Sequence, residues 1–326
     1  MTAPRDSKVV FSSALDMVGL VLVSCLVLQG SVLSLALPLP EEGDLFEGDI
    51  ILLPEQQALL QTKDLPGDSL KTLIADPTAI WPNKTVPYEF ASGEFNSAQQ
   101  ARILDALTDI MSVSCVRFVP RTTQPAYIVL RNNGLGCAAA VGFHNYGPLD
   151  LFLGGPSCQT RGTIQHEFLH ALGFWHEHTR QDRDQHITIL WQNIFPGKEF
   201  NFYKRDPSEI MTLNTPYDYN SVMHYRNIAF SKDSVSETII PKMPAAATRM
   251  GQRVRFSQID LAKLNRFYQC PPTYYHGDYS VKSGNEDEEF DPKSPDQTED
   301  VMKISALKED EVQSVKREKE NNAAVK

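Results

Sequence analysis

An α+β fold is predicted by three patterns in this chain: an amphipathic helix followed by short β-rich runs, a histidine-bearing helix after them, and an irregular stretch closed by a last helix. Asn96 to Met111 reads as the first helix. Ile103, Leu104, Leu107, Ile110 and Met111 recur at three- and four-residue spacings after an Asn/Ser start, which places them on one apolar face. Val116 to Val119, Ala126 to Arg131 and Leu149 to Leu153 are β-rich runs bounded by Pro, Asn and Gly, the punctuation expected of short strands. Beyond His176 the pairs Pro196-Gly197, Asp206-Pro207 and Thr215-Pro216 break any periodicity. Ser257 to Tyr268 then reads as a closing helix, with Ser257 and Asp260 as its capping signal.

The chemistry lies in the run from His166 to His176. On a helix, residues four apart lie about 40° apart around the axis and roughly 6 Å along it, so His166 and His170 project toward one point. Zinc takes imidazole nitrogens in four-coordinate geometry, and a catalytic site keeps one position for water, so a third protein ligand must come from elsewhere. His176 is placed to supply it only if the chain turns, because six residues of unbroken helix would carry it about 600° round, roughly 120° from the direction of His170. Gly173 permits that turn, since glycine reaches a left-handed helix cap without steric cost. Glu167 follows the first ligand and points beside the metal, where a carboxylate can take a proton from water and pass it to a departing amine. The expectation is one Zn²⁺ per subunit and peptide hydrolysis without a covalent intermediate.

These residues resemble the astacin family of metzincin zinc endopeptidases. The resemblance continues through His176-Glu177-His178-Thr179-Arg180-Gln181-Asp182-Arg183-Asp184 and returns at Ser221-Val222-Met223-His224-Tyr225, which is similar to the family's Met-turn. It covers about Asp76 to Cys270, with Ser114 to Pro120 and Gly136-Cys137 at its start and Phe267 to Cys270 at its close. The branch it most resembles is that of the hatching-enzyme and nephrosin-like astacins of fishes. The resemblance implies a metzincin fold: a twisted, mostly parallel sheet with two helices, an irregular C-terminal half with a closing helix, and a cleft between. It implies that Met223 is a structural floor beneath the imidazoles, and that Tyr225 is both a fifth ligand and a stabiliser of the tetrahedral intermediate. It implies that Glu177 receives the freed N-terminus, and that an edge strand lines the cleft and takes substrate by β-augmentation. Leu149 to Leu153 is the strand expected there.

Arg5 and Lys8 precede an apolar stretch from Met17 to Leu28, and Ser34-Leu35-Ala36 offers a signal-peptidase site. Secretion with cleavage near Ala36 is expected; an uncleaved membrane anchor is the rival reading. Loss of the leader removes Cys25 and leaves Cys115, Cys137, Cys158 and Cys270, which sequence alone could join in any of three ways. The resemblance selects Cys115 with Cys270 and Cys137 with Cys158. Asn83-Lys84-Thr85 is an N-glycosylation sequon. In the acidic segment Glu41 to Leu70, Phe46-Glu47-Gly48-Asp49 resembles the family's propeptide switch. There Asp49 would ligate zinc in a latent form, Gly48 would let the backbone pass close, and Phe46 would anchor in the cleft. Activation is expected near Lys71-Thr72, by a trypsin-like protease.

The expected organisation is a signal peptide over 1–36, a propeptide over 37–71, a catalytic domain over 72–270 and a disordered charged tail over 271–326. That tail holds fourteen acidic and eight basic residues, so its charge of −6 supplies more than half of the chain's −10. A content of 41% hydrophobic residues suffices for a sizeable core. No phosphate-cradling glycine loop and no basic patch suited to nucleic acid occur. The expected partners are protein or peptide substrates, as the zinc peptidase reading implies. A non-catalytic extracellular binding protein on the same scaffold is the alternative reading, which the intact Glu167 opposes.

Overall fold

The computed structural model describes residues 45–52, 80–133, 136–145, 147–205 and 212–277. The expected leader, the Lys71-Thr72 activation site, Asp206-Pro207 and the tail beyond residue 277 lie outside them. Five strands form one sheet in the order β2-β1-β3-β5-β4, with β1 at Thr85–Phe90, β2 at Arg117–Pro120, β3 at Tyr127–Arg131, β4 at Cys137–Ala139 and β5 at Pro148–Leu153. All neighbours run parallel except β4, which is antiparallel to β5. The fold is the α+β arrangement that the sequence pattern predicts, with the mostly parallel sheet that the family resemblance implies.

Two details correct the sequence reading. β1 occupies an interior position between β2 and β3, although Pro87 in its middle removes a ladder donor and masks it as a strand. The sheet ends at β2 and β4, and Leu149 to Leu153 lies inside it. A strand of three residues leaves no alternation to read, whereas the longer apolar run of β5 reflects burial on both faces.

Helix α1, Ser97–Val113, starts at a reciprocal cap in which the Asn96 side chain accepts from Gln99 N and the Gln99 side chain accepts from Asn96 N. It buries Ile103, Ala106, Leu107 and Ile110, the i, i+3, i+4, i+7 set of one face. Leu104, expected in that face, is 38% exposed, because it sits one position round from Ile103. Helix α2, Arg161–Ala171, is buried from Ile164 onward. Phe118 of β2 meets Phe168 edge-on at 5.1 Å between centroids, and Trp81 Nε1 donates to Ala171 O at 2.8 Å. These contacts hold α2 against the rest of the main core.

The second half is mostly turns, with a two-stranded ribbon of β6 (Ile187–Ile189) and β7 (Ile239–Pro241) over its own small cluster of Ile187, Ile194, Phe202, Tyr217, Tyr225 and Ile239. Helix α3, Gln258–Phe267, closes the domain, capped by Ser257 and Asp260 in the expected box. The fold continues past residue 270: Arg266 donates to His276 O and Gly277 O, both at 2.7 Å, so residues 271–277 pack back on α3 where a disordered tail was expected to begin.

Disulfides join Cys115 to Cys270 and Cys137 to Cys158. The first closes a separation of 155 residues and ties the end of α3 to the segment after α1. Replacing both Cys115 and Cys270 by Ser is expected to lower unfolding free energy by about 2–5 kcal/mol, as read from urea unfolding under non-reducing conditions. Unchanged stability would show that packing alone holds the two halves together.

Candidate active site

Helix α2 sets His166 and His170 on one face, their ring centroids 4.7 Å apart. The helix then stops in a hydrogen-bonded reversal: Gly173 N donates to His170 O at 2.8 Å and Phe174 N to Leu169 O at 3.0 Å, with Gly173 at φ 104°. Glycine carries that positive φ without strain. The reversal returns His176 to within 4.7 Å of His170 and 5.3 Å of His166, centroid to centroid. All three rings are buried.

Their tautomers follow from their partners. His166 Nδ1 lies 2.7 Å from Val222 O and His170 Nδ1 2.7 Å from Phe174 O. A carbonyl only accepts, so each Nδ1 carries the proton and each Nε2 presents a lone pair. Those two Nε2 atoms face each other at 3.2 Å. His176 donates Nδ1–H to Glu47 Oε2 at 2.7 Å, which turns its Nε2 to the same point.

Residues 45–52 form a strap across this centre. Phe46 stacks on Phe200 at 5.7 Å, Ala139 N donates to Asp49 O at 2.9 Å, and Ile51 N donates to Ala139 O at 3.0 Å, adding the strap to the β4 edge. Gly48 has φ 82° and sits so close to Phe230 that a Cβ would lie 2.9 Å from its ring. Asp49 Oδ2 is thereby 3.0 Å from His166 Nε2, and Oδ1 is 3.2 Å from His176 Nε2 and 3.6 Å from His170 Nε2. Asp49, His166, His170 and His176 present one ligand atom each within 4.8 Å of one another.

This donor set fits zinc. Burial holds His166 and His170 below the ordinary imidazole range; for His176 burial acts the same way, but Asp49 and Glu47 outweigh it and push the ring up to about 9. One proton on His176 cannot satisfy two further imidazole lone pairs and the buried Oδ1 of Asp49, which has no hydrogen-bond partner among the described residues. A divalent cation satisfies all of them together.

Glu167 is 1% exposed, and its Oε2 has no hydrogen-bond partner among the described residues. Burial first and the Asp49 carboxylate second push it well above the usual carboxylate range. Met223 is buried in the main core, and its carbonyl accepts from Glu177 N at 3.0 Å. Tyr225 packs on His176 at 4.6 Å between centroids, and its hydroxyl donates to the Glu47 carbonyl, so the strap engages it in this state. Asn83 is exposed in the turn before β1. Two residues assigned no role from sequence belong to the site: Glu47 and Arg205, whose guanidinium pairs with Glu47 Oε1. The acidic side chain two positions before Asp49 was the available signal for the first; nothing local signals the second.

Glu177 is buried and ion-paired, accepting from Lys263, from Arg180 at 3.1 Å and from Asp218 N at 2.9 Å. Nearby, Asp260 accepts from Ser221 Oγ at 2.6 Å and Val222 N at 2.9 Å, fixing the turn that leads into Met223. Asp218 accepts from Ser257 Oγ; burial, then Asp260 and Glu177, push it up to about 7, against the opposing pull of Lys263. A carboxyl raised in the folded state stabilises it fully below the unfolded pKa of 3.8, and that contribution is lost as pH rises through about 7. Asp218→Asn is therefore expected to flatten the fall in unfolding free energy between those values, a slope of up to roughly 1.4 kcal/mol per pH unit. Urea titrations across that range check it; an unchanged slope would refute the assignment.

Residues 73–269 match the peptidase family described as Astacin. Bone morphogenetic protein 1 of Xenopus laevis is 40% identical over 197 residues, covering 60% of this chain and 28% of that protein. Zinc metalloproteinase nas-4 of Caenorhabditis elegans is 37% identical over 234 residues, covering 71% of each. Among solved structures, high choriolytic enzyme 1, a hatching enzyme zinc-protease of the medaka Oryzias latipes, is similar at 37% identity with a TM-score of 0.54, covering 59% of this chain and 94% of that one. The chain thus spans less than a third of bone morphogenetic protein 1. This chain belongs to the astacin family of zinc metalloendopeptidases.

Proposed function

We propose that this chain is the latent precursor of a secreted zinc endopeptidase that cuts extracellular proteins. Its parts are a signal peptide over 1–36, a prosegment over 37–71, a catalytic domain from 72 and a charged tail, with an N-glycan on Asn83. The observation that carries the reading is the Asp49 carboxylate seated among three convergent imidazole Nε2 atoms. Its position is where an open coordination site would otherwise meet substrate, so the strap both occupies the centre and takes the β4 edge that an extended peptide would pair with.

His166, His170 and His176 hold the metal. Zinc bound there supplies Lewis acidity, polarising a scissile carbonyl and lowering the pKa of water toward about 7. Once a trypsin-like protease cuts near Lys71 and the strap leaves, the neighbouring Asp49 charge is withdrawn from Glu167. Glu167 then takes the proton of the attacking water and delivers it to the departing amine. Tyr225, released from the Glu47 carbonyl, donates its hydroxyl proton in a hydrogen bond to the developing oxyanion. Met223 supports the rings from below, and Glu177, paired with Lys263 and Arg180 in the precursor, is the carboxylate that the new N-terminus would join. The likeness to the medaka hatching enzyme supports egg-envelope proteins as the substrate class.

The Lys71-cleaved protein is expected to hydrolyse casein, to stop on addition of a chelator and to resume on adding back Zn²⁺. A folded, zinc-loaded protein with no turnover on a proteome-derived peptide library would instead identify a binding protein. The cleavage pattern from that library also names the preferred bond.

A further inference from the structure

We propose that Glu47 is a positioning residue for the metal: by accepting the Nδ1–H of His176 it fixes that ligand, so that the precursor holds zinc more tightly than the activated enzyme. The inference rests on the reading that the three histidines bind zinc. Each ligand histidine has an outer partner. For His166 it is Val222 O and for His170 it is Phe174 O, both at 2.7 Å, and both belong to the catalytic domain and stay after activation. For His176 the partner is Glu47 Oε2 at 2.7 Å, which belongs to the strap and leaves with it. An outer-shell carboxylate fixes the tautomer and direction of a ligand histidine and raises its basicity.

Neighbouring side chains hold Glu47 in place. Its side chain is fully buried, and its second oxygen is gripped by Arg205, with Nε at 2.9 Å. The Arg205 guanidinium lies between Phe46, 4.3 Å from its centroid, and Trp175, at 4.9 Å. The strap thus brings two carboxylates to one centre. Asp49 meets the metal position directly, and Glu47 acts through His176. Activation removes both, exchanging metal affinity for an open site.

The test measures zinc affinity of the full-length precursor by competition with a chromophoric chelator, a readout independent of proteolysis. Glu47→Ala is expected to weaken zinc binding about 10–100-fold, and Glu47→Gln, which keeps an acceptor oxygen without the charge, less. The same pair is compared in an Asp49→Asn background, where a Glu47 that merely seats Asp49 would have no further effect. Weakening by a similar factor in both backgrounds supports the proposal. Variants within about twofold of their parents, or a loss confined to the background with Asp49 intact, would overturn it. A parent precursor that binds no zinc would overturn the zinc site and this inference together, whereas normal parental binding with insensitive variants overturns this inference alone.

Discussion

Replacing Glu167 by Gln in the activated protein is expected to lower kcat by about 10²–10⁴-fold, the range a general base contributes, while one zinc per subunit is retained. Glu167 is not among the residues that converge on the metal position. It follows His166 on α2, so the helix rotates it about 100° away from that ligand and leaves its carboxylate beside the centre. It is buried, and one of its oxygens lacks a hydrogen-bond partner among the described residues; leaving a buried carboxylate oxygen unpaired costs stability, and such a cost is commonly retained where the group does chemistry. Glutamine preserves the volume and the acceptor oxygen but cannot take a proton. The loss should therefore fall on kcat with KM little changed, since a group acting only in the transition state leaves ground-state binding intact. Steady-state kinetics on a fluorogenic peptide, with metal content measured on the same sample, decide the matter. Turnover within tenfold of the parent, at full zinc content, would remove Glu167 from the mechanism.

Asp49→Ala in the uncut precursor is the second large effect, and its direction is opposite. Asp49 is only partly exposed, at 18% for the side chain, and meets all three imidazoles. Burial opposes its ionisation, but the charge of His176 and its Nε2–H donor outweigh burial and hold it well below the ordinary carboxylate range. Truncating a buried, hydrogen-bonded charge of this kind costs about 2–5 kcal/mol, which corresponds to about 30-fold to several-thousand-fold in the ratio of open to closed strap. The uncut Ala variant should therefore hydrolyse peptide at a rate well above the intact precursor. Phe46 on Phe200, and the backbone bonds to Ala139, remain, so the rate should stay below that of the fully activated form. An Asp49→Ala precursor as silent as its parent would place latency elsewhere in the strap.

The site was legible in the sequence to the extent that its geometry is local. His166 and His170 need only helical periodicity, and the reversal at Gly173 needs only glycine's freedom at positive φ. Both are short-range properties written in adjacent residues, and the Ser257 and Asp260 cap is of the same kind. The sheet was less legible. Pro87 hid β1, whose place between two parallel neighbours depends on segments that follow it by about thirty and forty residues. The cleft edge was expected at Leu149 to Leu153 because that run directly precedes the histidine-bearing helix, whereas the three residues of Cys137–Ala139 are too few to read as a strand. Strand order is a non-local choice, made by which pairs bury most surface, and no period of two reports it.

By itself the sequence determined the class of fold, the three imidazoles, the carboxylate beside them, and through the family resemblance the two cystine pairs and the aspartate of the strap. Only the tertiary structure decided what surrounds them. Glu47 meets His176 across 129 residues and Arg205 across 158, and Glu177 meets Lys263 across 86. Such pairs form because folding brings charges out of water together, where an unpaired charge is costly and a matched one is not. Ligand spacing is fixed by backbone geometry within a few residues, but the partners that orient and hold the ligands are fixed by burial, which belongs to the whole folded chain.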